Sequence, residues 1–145
     1  MATTNRVLSS PAVGDGRVIV GSLDRKVYSY DSASGSVLWS RTLDWSVYGS
    51  PIIANGVIYV NGESSLYALN EENGAILWRA GVYTAFPASP AVADGIAFIG
   101  SADGNLHAFS VNGMAPAKRL AGGELGIKPA LSSLKPDHSL KASRT

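Results

Sequence analysis

The sequence predicts an all-β chain made of three repeats, each folding into four short antiparallel strands. A Ser-Pro dipeptide begins each repeat, at Ser10, Ser50 and Ser89, with spacings of 40 and then 39 residues. An apolar run of strand character follows each dipeptide after a glycine-containing turn, and no helical period competes with this pattern. The 16 glycines suit many short strands joined by tight turns. Since a period of about 40 residues with strand content is typical of propeller blades, we predict three tandem β-propeller blades.

The first repeat illustrates how the four strands are assigned. Residues 11–13 are predicted as the short innermost strand, residues 17–21 and 26–31 as the central pair, and residues 36–41 as the outermost strand. The dipeptide Asp15-Gly16 marks the first hairpin, because glycine accepts a positive φ without steric cost. The other two repeats have Asn55-Gly56 and Asp94-Gly95 at the same place.

The third repeat departs from the first two at its outer strand. Ala117 replaces the tryptophan that ends the repeat in the other copies, Trp39 and Trp78, and Pro116 precedes it. Proline cannot donate a ladder hydrogen bond and is tolerated on an edge strand, so we predict a complete third blade with a weakened outer strand. The period is lost after residue 120. Residues 1–120 are therefore predicted as the propeller segment and residues 121–145 as a flexible tail.

Composition excludes several classes of function. The formal net charge is +1, which does not favour nucleic acid as a partner. The chain has no cysteine, and this excludes a disulfide framework, a cysteine-ligated zinc and a cysteine nucleophile. No apolar stretch approaches the ~20 residues of a membrane span, and no signal peptide is predicted in this chain.

Two segments resemble the tryptophan-docking motif of the pyrroloquinoline quinone (PQQ) repeat. They are residues 29–39, Ser-Tyr-Asp-Ser-Ala-Ser-Gly-Ser-Val-Leu-Trp, and residues 68–78, Ala-Leu-Asn-Glu-Glu-Asn-Gly-Ala-Ile-Leu-Trp. The third copy is one residue shorter and lacks the tryptophan. The resemblance covers residues 7–120 and implies a β-propeller. Because a ligand rarely needs identical aromatic residues at repeated positions, we predict that Trp39 and Trp78 pack between adjacent blades.

The resemblance alone does not imply that PQQ binds. The family includes quinoprotein alcohol dehydrogenases, the lipoprotein that helps assemble outer-membrane barrels, and sensor domains attached to kinases. The dehydrogenases hold the quinone with a vicinal cysteine pair, a stacking tryptophan and a calcium site with a catalytic aspartate. This chain has no cysteine and no evident acidic cluster, so we predict no cofactor and no catalytic or metal-binding residue. The prediction is a non-catalytic binding or scaffold module outside the cytoplasm. The alternative is a fragment or remnant of a PQQ-dependent dehydrogenase.

The candidate binding residues lie in the loops that lead from an outer strand to the next inner strand. They are Trp45, Tyr48, Tyr83 and Phe86. Their aromatic residues are not in register between repeats, so repeat packing does not require them, and aromatic clusters on a propeller face can anchor a protein, peptide or glycan. The alternative is that they fold down over the blade junctions. The two histidines, His107 on a strand and His138 in the tail, are too isolated to form a metal site.

Three blades are too few to close a ring, since propellers have about 4 to 8. An open arc would leave two apolar blade faces exposed. The chain is then a fragment of a larger propeller, an open arc covered by its tail, or a protein that closes by self-association. Two copies give six blades, so a homodimer is the simplest closed assembly.

Overall fold

The computed structural model describes residues 3–81 and 84–111, together with the backbone of residues 118–120. These residues form twelve β-strands and no helix, which confirms the predicted all-β fold. The strands are β1 Ala12–Gly14, β2 Arg17–Gly21, β3 Lys26–Asp31, β4 Val37–Thr42, β5 Ile52–Ala54, β6 Val57–Asn61, β7 Ser65–Asn70, β8 Ile76–Gly81, β9 Ala91–Ala93, β10 Ile96–Gly100, β11 Leu106–Ser110 and β12 Lys118–Leu120.

Each group of four consecutive strands forms its own antiparallel sheet, and neighbours in sequence are neighbours in the sheet. We call the sheets of β1–β4, β5–β8 and β9–β12 the first, second and third blades. In the first blade the central strands β2 and β3 have the predicted bounds, whereas β1 and β4 each begin and end one residue later than predicted. The predicted tail, residues 121–145, lies outside the described residues.

The hairpin between the first two strands has the same backbone in all three blades. In the first blade Asp15 and Gly16 have φ values of +44° and +73°. Two consecutive residues with positive φ define the type I′ turn, whose twist matches that of the flanking strands. Asn55-Gly56 and Asp94-Gly95 repeat this geometry, so the hairpins predicted from these dipeptides are confirmed.

A polar side chain organises the turn between β3 and β4. The Asp31 carboxylate accepts hydrogen bonds from the backbone N–H groups of Ala33 and Ser34, at 3.2 and 2.7 Å. The Ser34 backbone bond, followed by the Ser34 hydroxyl, lowers the pKa of Asp31. In the second blade the Asn70 side-chain oxygen plays the same part toward Glu72 and Asn73. A side chain that offers an acceptor two or three residues ahead stabilises such a turn locally.

The outer strands of the first two blades carry a β-bulge. In the first blade Tyr30 pairs with Val37 and Ser29 with Trp39, so Leu38 is the extra residue. The second blade repeats this bulge at Leu77. In the third blade the described part of the outer strand is β12, which pairs with β11. Residues 112–117, which include Pro116 and Ala117, lie outside the described part of the chain.

Among the described residues, two apolar layers lie between neighbouring blades, and a smaller buried cluster of Ile96 and Ala108 lies on the third blade. We call the face that a blade turns toward the next blade in sequence its forward face, and the opposite face its rear face. Alternating side chains divide between the two faces, as in any strand. The first layer joins Ile19 and Val27 of the forward face of the first blade to Ile58, Val60, Tyr67 and Leu69 of the second. The second layer joins Tyr59, Leu66 and Ala68 to Ala97, Ile99 and Phe109.

The Ser-Pro dipeptides form a hydrogen-bonded series across the innermost strands. The Ser10 backbone N–H donates to the Ser50 hydroxyl, and the Ser50 backbone N–H donates to the Ser89 hydroxyl, both at 2.8 Å. The hydroxyl groups of Ser50 and Ser89 thus each accept a hydrogen bond from the blade before them. This contact gives a structural reason for the most regular motif of the sequence.

Candidate binding surface

The loop between β4 and β5 crosses from the first blade to the second and is held by three hydrogen bonds. The Leu43 backbone N–H donates to the Arg25 carbonyl at 2.7 Å, and the Ser46 hydroxyl donates to the Leu23 carbonyl at 2.9 Å. The Val47 backbone N–H donates to the Ser22 carbonyl at 3.1 Å. The side chains of Leu43 and Val47 are buried in the first core layer. The loop is therefore fixed on the first blade before it enters the second.

Trp45 and Tyr48 lie between these anchors and point to solvent. Their side chains are 44% and 49% exposed, although neighbouring Val47 is completely buried. Trp45 rests on the β6–β7 turn of the second blade, where a Cβ added to Gly62 would lie 3.0 Å from the Trp45 Cβ. Two exposed aromatic side chains on a fixed loop form a preorganised apolar surface, which lowers the entropic cost of binding.

An ion pair borders this surface. Arg79 of β8 pairs with the Asp44 carboxylate, and the Tyr67 hydroxyl donates to the same carboxylate oxygen at 3.1 Å. Burial, followed by the hydrogen bond to Asp44, raises the pKa of Tyr67. Asp44 and Arg79 are both more than half exposed, and exposed ion pairs contribute little to stability. We call Asp44, Trp45, Tyr48 and Arg79 the junction surface.

Phe86 lies elsewhere, in the second core layer. It is 2% exposed and meets the rings of His107 and Phe109 edge-on, with centroid distances of 5.6 and 6.4 Å. Its backbone N–H donates to the Glu63 carbonyl of the preceding blade at 2.7 Å, the counterpart of the Val47 anchor. Phe86 is thus folded over a blade junction, which was the alternative to a binding role for these loop residues, and it is not exposed. Tyr83 lies outside the described residues.

Two of the four candidate aromatic residues, Trp45 and Tyr48, are therefore exposed on one loop, whereas Phe86 is buried elsewhere. The spacing to the Ser-Pro dipeptide distinguishes them, because Val47 and Phe86 both lie three residues before its serine. That position inserts into the preceding blade. Trp45 and Tyr48 correspond to Thr84 and Pro87 in the next repeat, so the fold does not demand aromatic residues there. Sequence analysis did not find Asp44 and Arg79, which are 35 residues apart.

Trp39 and Trp78 each contact the next blade. The Trp39 indole N–H donates to the Glu71 carbonyl at 2.9 Å, and the Trp78 indole N–H donates to the Val111 carbonyl at 3.0 Å. The Trp78 ring lies 6.4 Å from the ring of Phe109. Both tryptophans are half-buried and use the same hydrogen bond to the same turn of the following blade.

His107 occupies the place of Tyr28 and Tyr67 and is buried. Its Nε2 lies 3.0 Å from the Ser101 hydroxyl, which also contacts the Asp103 carboxylate. The His107 Nδ1 has no hydrogen-bond partner, so this serine, histidine and aspartate lack the carboxylate–Nδ1 contact that orients a catalytic histidine. His138 lies outside the described residues.

The described residues do not fit the quinone and calcium of the dehydrogenases. Within residues 3–81, 84–111 and 118–120, no group of three histidine, cysteine, aspartate or glutamate side chains is placed to hold a metal ion. The cysteine pair that those enzymes use is missing from the sequence. The same part of the chain contains no helix long and apolar enough to cross a membrane.

Residues 2–115 match the family described as outer membrane protein assembly factor BamB, a family of PQQ repeats. The chain belongs to this BamB-like PQQ-repeat family. That membership and the twelve-stranded fold agree, which confirms the PQQ-repeat propeller suggested by the two tryptophan motifs. No curated protein matches the sequence.

Solved structures share the blade arrangement at low identity. BamB from Moraxella catarrhalis matches with a TM-score of 0.69 and 23% identity over 79% of this chain, and the match covers 37% of BamB. The computationally designed protein Ika4 matches with a TM-score of 0.71 and 15% identity, covering 85% of this chain and 75% of Ika4. A europium-containing methanol dehydrogenase matches with a TM-score of 0.67 and 17% identity over 77% of this chain and 24% of the enzyme. The chain thus spans about a third of BamB, and these likenesses show the fold alone.

Proposed function

We propose that this chain is a non-catalytic propeller module that binds a segment of a partner protein at the junction surface. The observation that carries the proposal is the loop between β4 and β5, which presents Trp45 and Tyr48 to solvent while Ser46 and Val47 hold it to the first blade. Aromatic side chains that stay exposed without a packing role are typical anchors of protein recognition.

The charged border of the surface suggests what kind of segment binds. Asp44 and Arg79 stand beside the aromatic pair and are both open to solvent. The Asp44 carboxylate can accept a new hydrogen bond and the Arg79 guanidinium can donate one to a partner, and because both are exposed neither is left as an unpaired buried charge. We therefore favour an extended peptide segment with one or two apolar side chains and polar groups beside them. A glycan, which would also stack on Trp45, is the competing ligand.

Family membership supports the non-catalytic part of the proposal. The matched family is described as an assembly factor, which is a role in protein interaction. It also supports an extracytoplasmic location, which belongs to the same proposal. Cell fractionation tests the location independently of binding: the protein should be found outside the cytoplasm, and its recovery in the cytoplasmic fraction would contradict the proposal.

A peptide-display selection on the full chain tests the binding surface. Peptides are selected on the unmodified chain and counter-selected on the variant Trp45→Ser/Tyr48→Ser. We expect enriched peptides whose dissociation constant rises about tenfold or more in Trp45→Ser, since a buried aromatic anchor typically contributes that much. Leu38→Ser is the matched control, because Leu38 is equally exposed but lies on the outer strand.

Three outcomes would contradict the proposal. The selection could enrich no peptide, the enriched peptides could bind the Trp45→Ser variant unchanged, or Leu38→Ser could weaken binding as much as Trp45→Ser. Binding on a glycan array that depends on Trp45, with no enriched peptide, would keep the surface and replace the protein partner with a glycan.

A fragment or remnant of a quinoprotein dehydrogenase is the second candidate. The europium-containing methanol dehydrogenase shares the fold of this chain over 24% of the enzyme, and this leaves the candidate to be tested. Titration with PQQ and Ca²⁺ separates the two candidates. A saturable change in quinone absorbance that requires Ca²⁺ would support the dehydrogenase, and no change at millimolar quinone would leave the binding module as the better account.

A further inference from the structure

The end blades expose side chains that the middle of the arc buries. Val27 and Leu66 occupy the same place on the forward faces of the first and second blades and are both completely buried. Leu106 occupies this place in the third blade and is 44% exposed. Phe98, the counterpart of buried Ile19 and Tyr59, is only half-buried. The described forward face of the third blade thus exposes Leu106 and part of Phe98, whereas Ile96 and Ala108 on the same face are buried.

The first blade has the complementary positions at its innermost strand. Val13 is 70% exposed, whereas its counterparts Ile53 and Val92 are half-buried against the preceding blade. Val7, which corresponds to the fully buried Val47, is also exposed. Tyr28 on the rear face of the first blade is already buried, so a partner would cover chiefly the inner strand and the segment before it.

The serine series has matching free ends. The Ser50 N–H donates to Ser89 of the third blade, and the Ser50 hydroxyl accepts from Ser10 of the first blade. Among the hydrogen bonds of the described residues, Ser89 takes part in this series only through its hydroxyl and Ser10 only through its N–H. The Ser89 N–H and the Ser10 hydroxyl are therefore a donor and an acceptor of the kind that pair at both internal junctions.

We propose that the forward face of the third blade binds the inner edge of the first blade of a second copy of this chain. Such a contact would repeat the serine bond of the two internal junctions and would cover the exposed side chains of Leu106, Val13 and Val7. Because it joins unlike faces, it generates a ring if the rotation closes. Two copies would close at six blades, within the usual range of about 4 to 8. The proposal does not depend on the junction surface, which lies between the first and second blades.

The mass of the unmodified full chain in solution is the first test. Light scattering coupled to size exclusion should give about 30 kDa, twice the 15.1 kDa of one chain, for a two-copy ring. Leu106→Asp should raise the dimer dissociation constant about tenfold or more, because it places a charge in the apolar contact. Leu77→Asp is the matched control, since Leu77 is similarly exposed on the outer strand of the second blade and should leave the dimer intact.

A disulfide test establishes which faces meet. The chain has no cysteine, so introduced pairs report without background. The variant Ser10→Cys/Ser50→Cys should close a bond within one chain, because its Cα atoms lie within the ~7 Å that a disulfide spans when the serine bond is present. Ser10→Cys/Ser89→Cys should instead give a covalent dimer on oxidation, and neither single variant should do so. A monomeric mass at 100 µM, a dimer that Leu106→Asp leaves unchanged, or no covalent dimer from Ser10→Cys/Ser89→Cys would overturn the proposal.

Discussion

Replacing Gly74 with alanine tests the contact that joins the first two blades. Gly74 has a φ of +67°, and a Cβ built there would lie 2.5 Å from Cε3 of Trp39. The Trp39 ring cannot easily move away, because its N–H is bonded to the Glu71 carbonyl and the Arg41 Nε donates to the Gly74 carbonyl at 2.6 Å. The substitution therefore combines backbone strain with overpacking.

The two costs can be separated with Gly56. Gly56 lies in the same blade with a φ of +74°, and a Cβ there would meet nothing within 4 Å. Gly56→Ala should lower the free energy of unfolding only by the cost of holding an alanine in a left-handed backbone conformation, about 1–2 kcal/mol. Gly74→Ala should lower the free energy of unfolding by the same conformational cost and by about 1–3 kcal/mol more for overpacking against the Trp39 ring, or about 2–5 kcal/mol in all.

The stability of both variants is measured by urea unfolding. A shift of the unfolding midpoint at an unchanged m value reports a change in stability. The same pair is then made in a Trp39→Leu background, where the excess cost of Gly74→Ala should disappear. The reasoning is refuted if Gly74→Ala is no more destabilising than Gly56→Ala, or if the difference persists once the tryptophan is gone.

Three further predictions concern single positions. Burial, followed by the nearby Asp15 charge, raises the pKa of Glu71, so ionising Glu71 costs stability as pH rises above 4.5, the ordinary pKa of a glutamate. Glu71→Gln should therefore raise the melting temperature at pH 7 and change it little at pH 4; an equal change at both values would contradict this. Asp31→Ala should destabilise more than Asp31→Asn in urea, because asparagine keeps the acceptor that Asn70 supplies in the second blade; equal losses would show that the acceptor is unimportant. A Cβ on Gly49 would lie 1.9 Å from the Asn61 amide oxygen, so Gly49→Ser should cost about 1–3 kcal/mol by urea unfolding. Adding Asn61→Gly, which reproduces the Ser9–Gly21 pair of the first blade, should recover part of that loss, and no recovery would refute the steric explanation.

The repeat predicted most of the fold because each blade is specified locally. The type I′ turn requires positive φ at both central residues, which Asp-Gly and Asn-Gly tolerate, and the structure has this turn at all three places. Alternating side chains in strands such as β3 divide between the two faces, so strand positions follow from the sequence pattern alone. The innermost and outermost strands were displaced by one residue; each pairs with a neighbour on one side only, so fewer contacts fix its ends.

The candidate site was predicted only in part, because it depends on which blade lies against a loop. Phe86 and Trp45 are both aromatic residues ahead of a Ser-Pro dipeptide, yet one is buried and one is exposed. Phe86 lies three residues before the serine of its dipeptide, the position at which Val47 is also buried, whereas Trp45 lies five residues before its own. Arg79 of the second blade pairs with Asp44 in the loop that precedes that blade, 35 residues earlier, and no local sequence signal predicts such a contact.

The indole N–H resonances of the three tryptophans offer the most direct test of the central claim, that the junction surface binds the partner. Trp39 and Trp78 donate to backbone carbonyls between blades, whereas the Trp45 indole N–H has no partner among the described residues. Each signal is assigned by a single tryptophan-to-phenylalanine variant, and a peptide from the display selection is then titrated into the ¹⁵N-labelled chain. The account predicts that the Trp45 signal shifts with saturation while the Trp39 and Trp78 signals stay in place. A peptide that binds and shifts Trp39 or Trp78 but leaves Trp45 unmoved would contradict it.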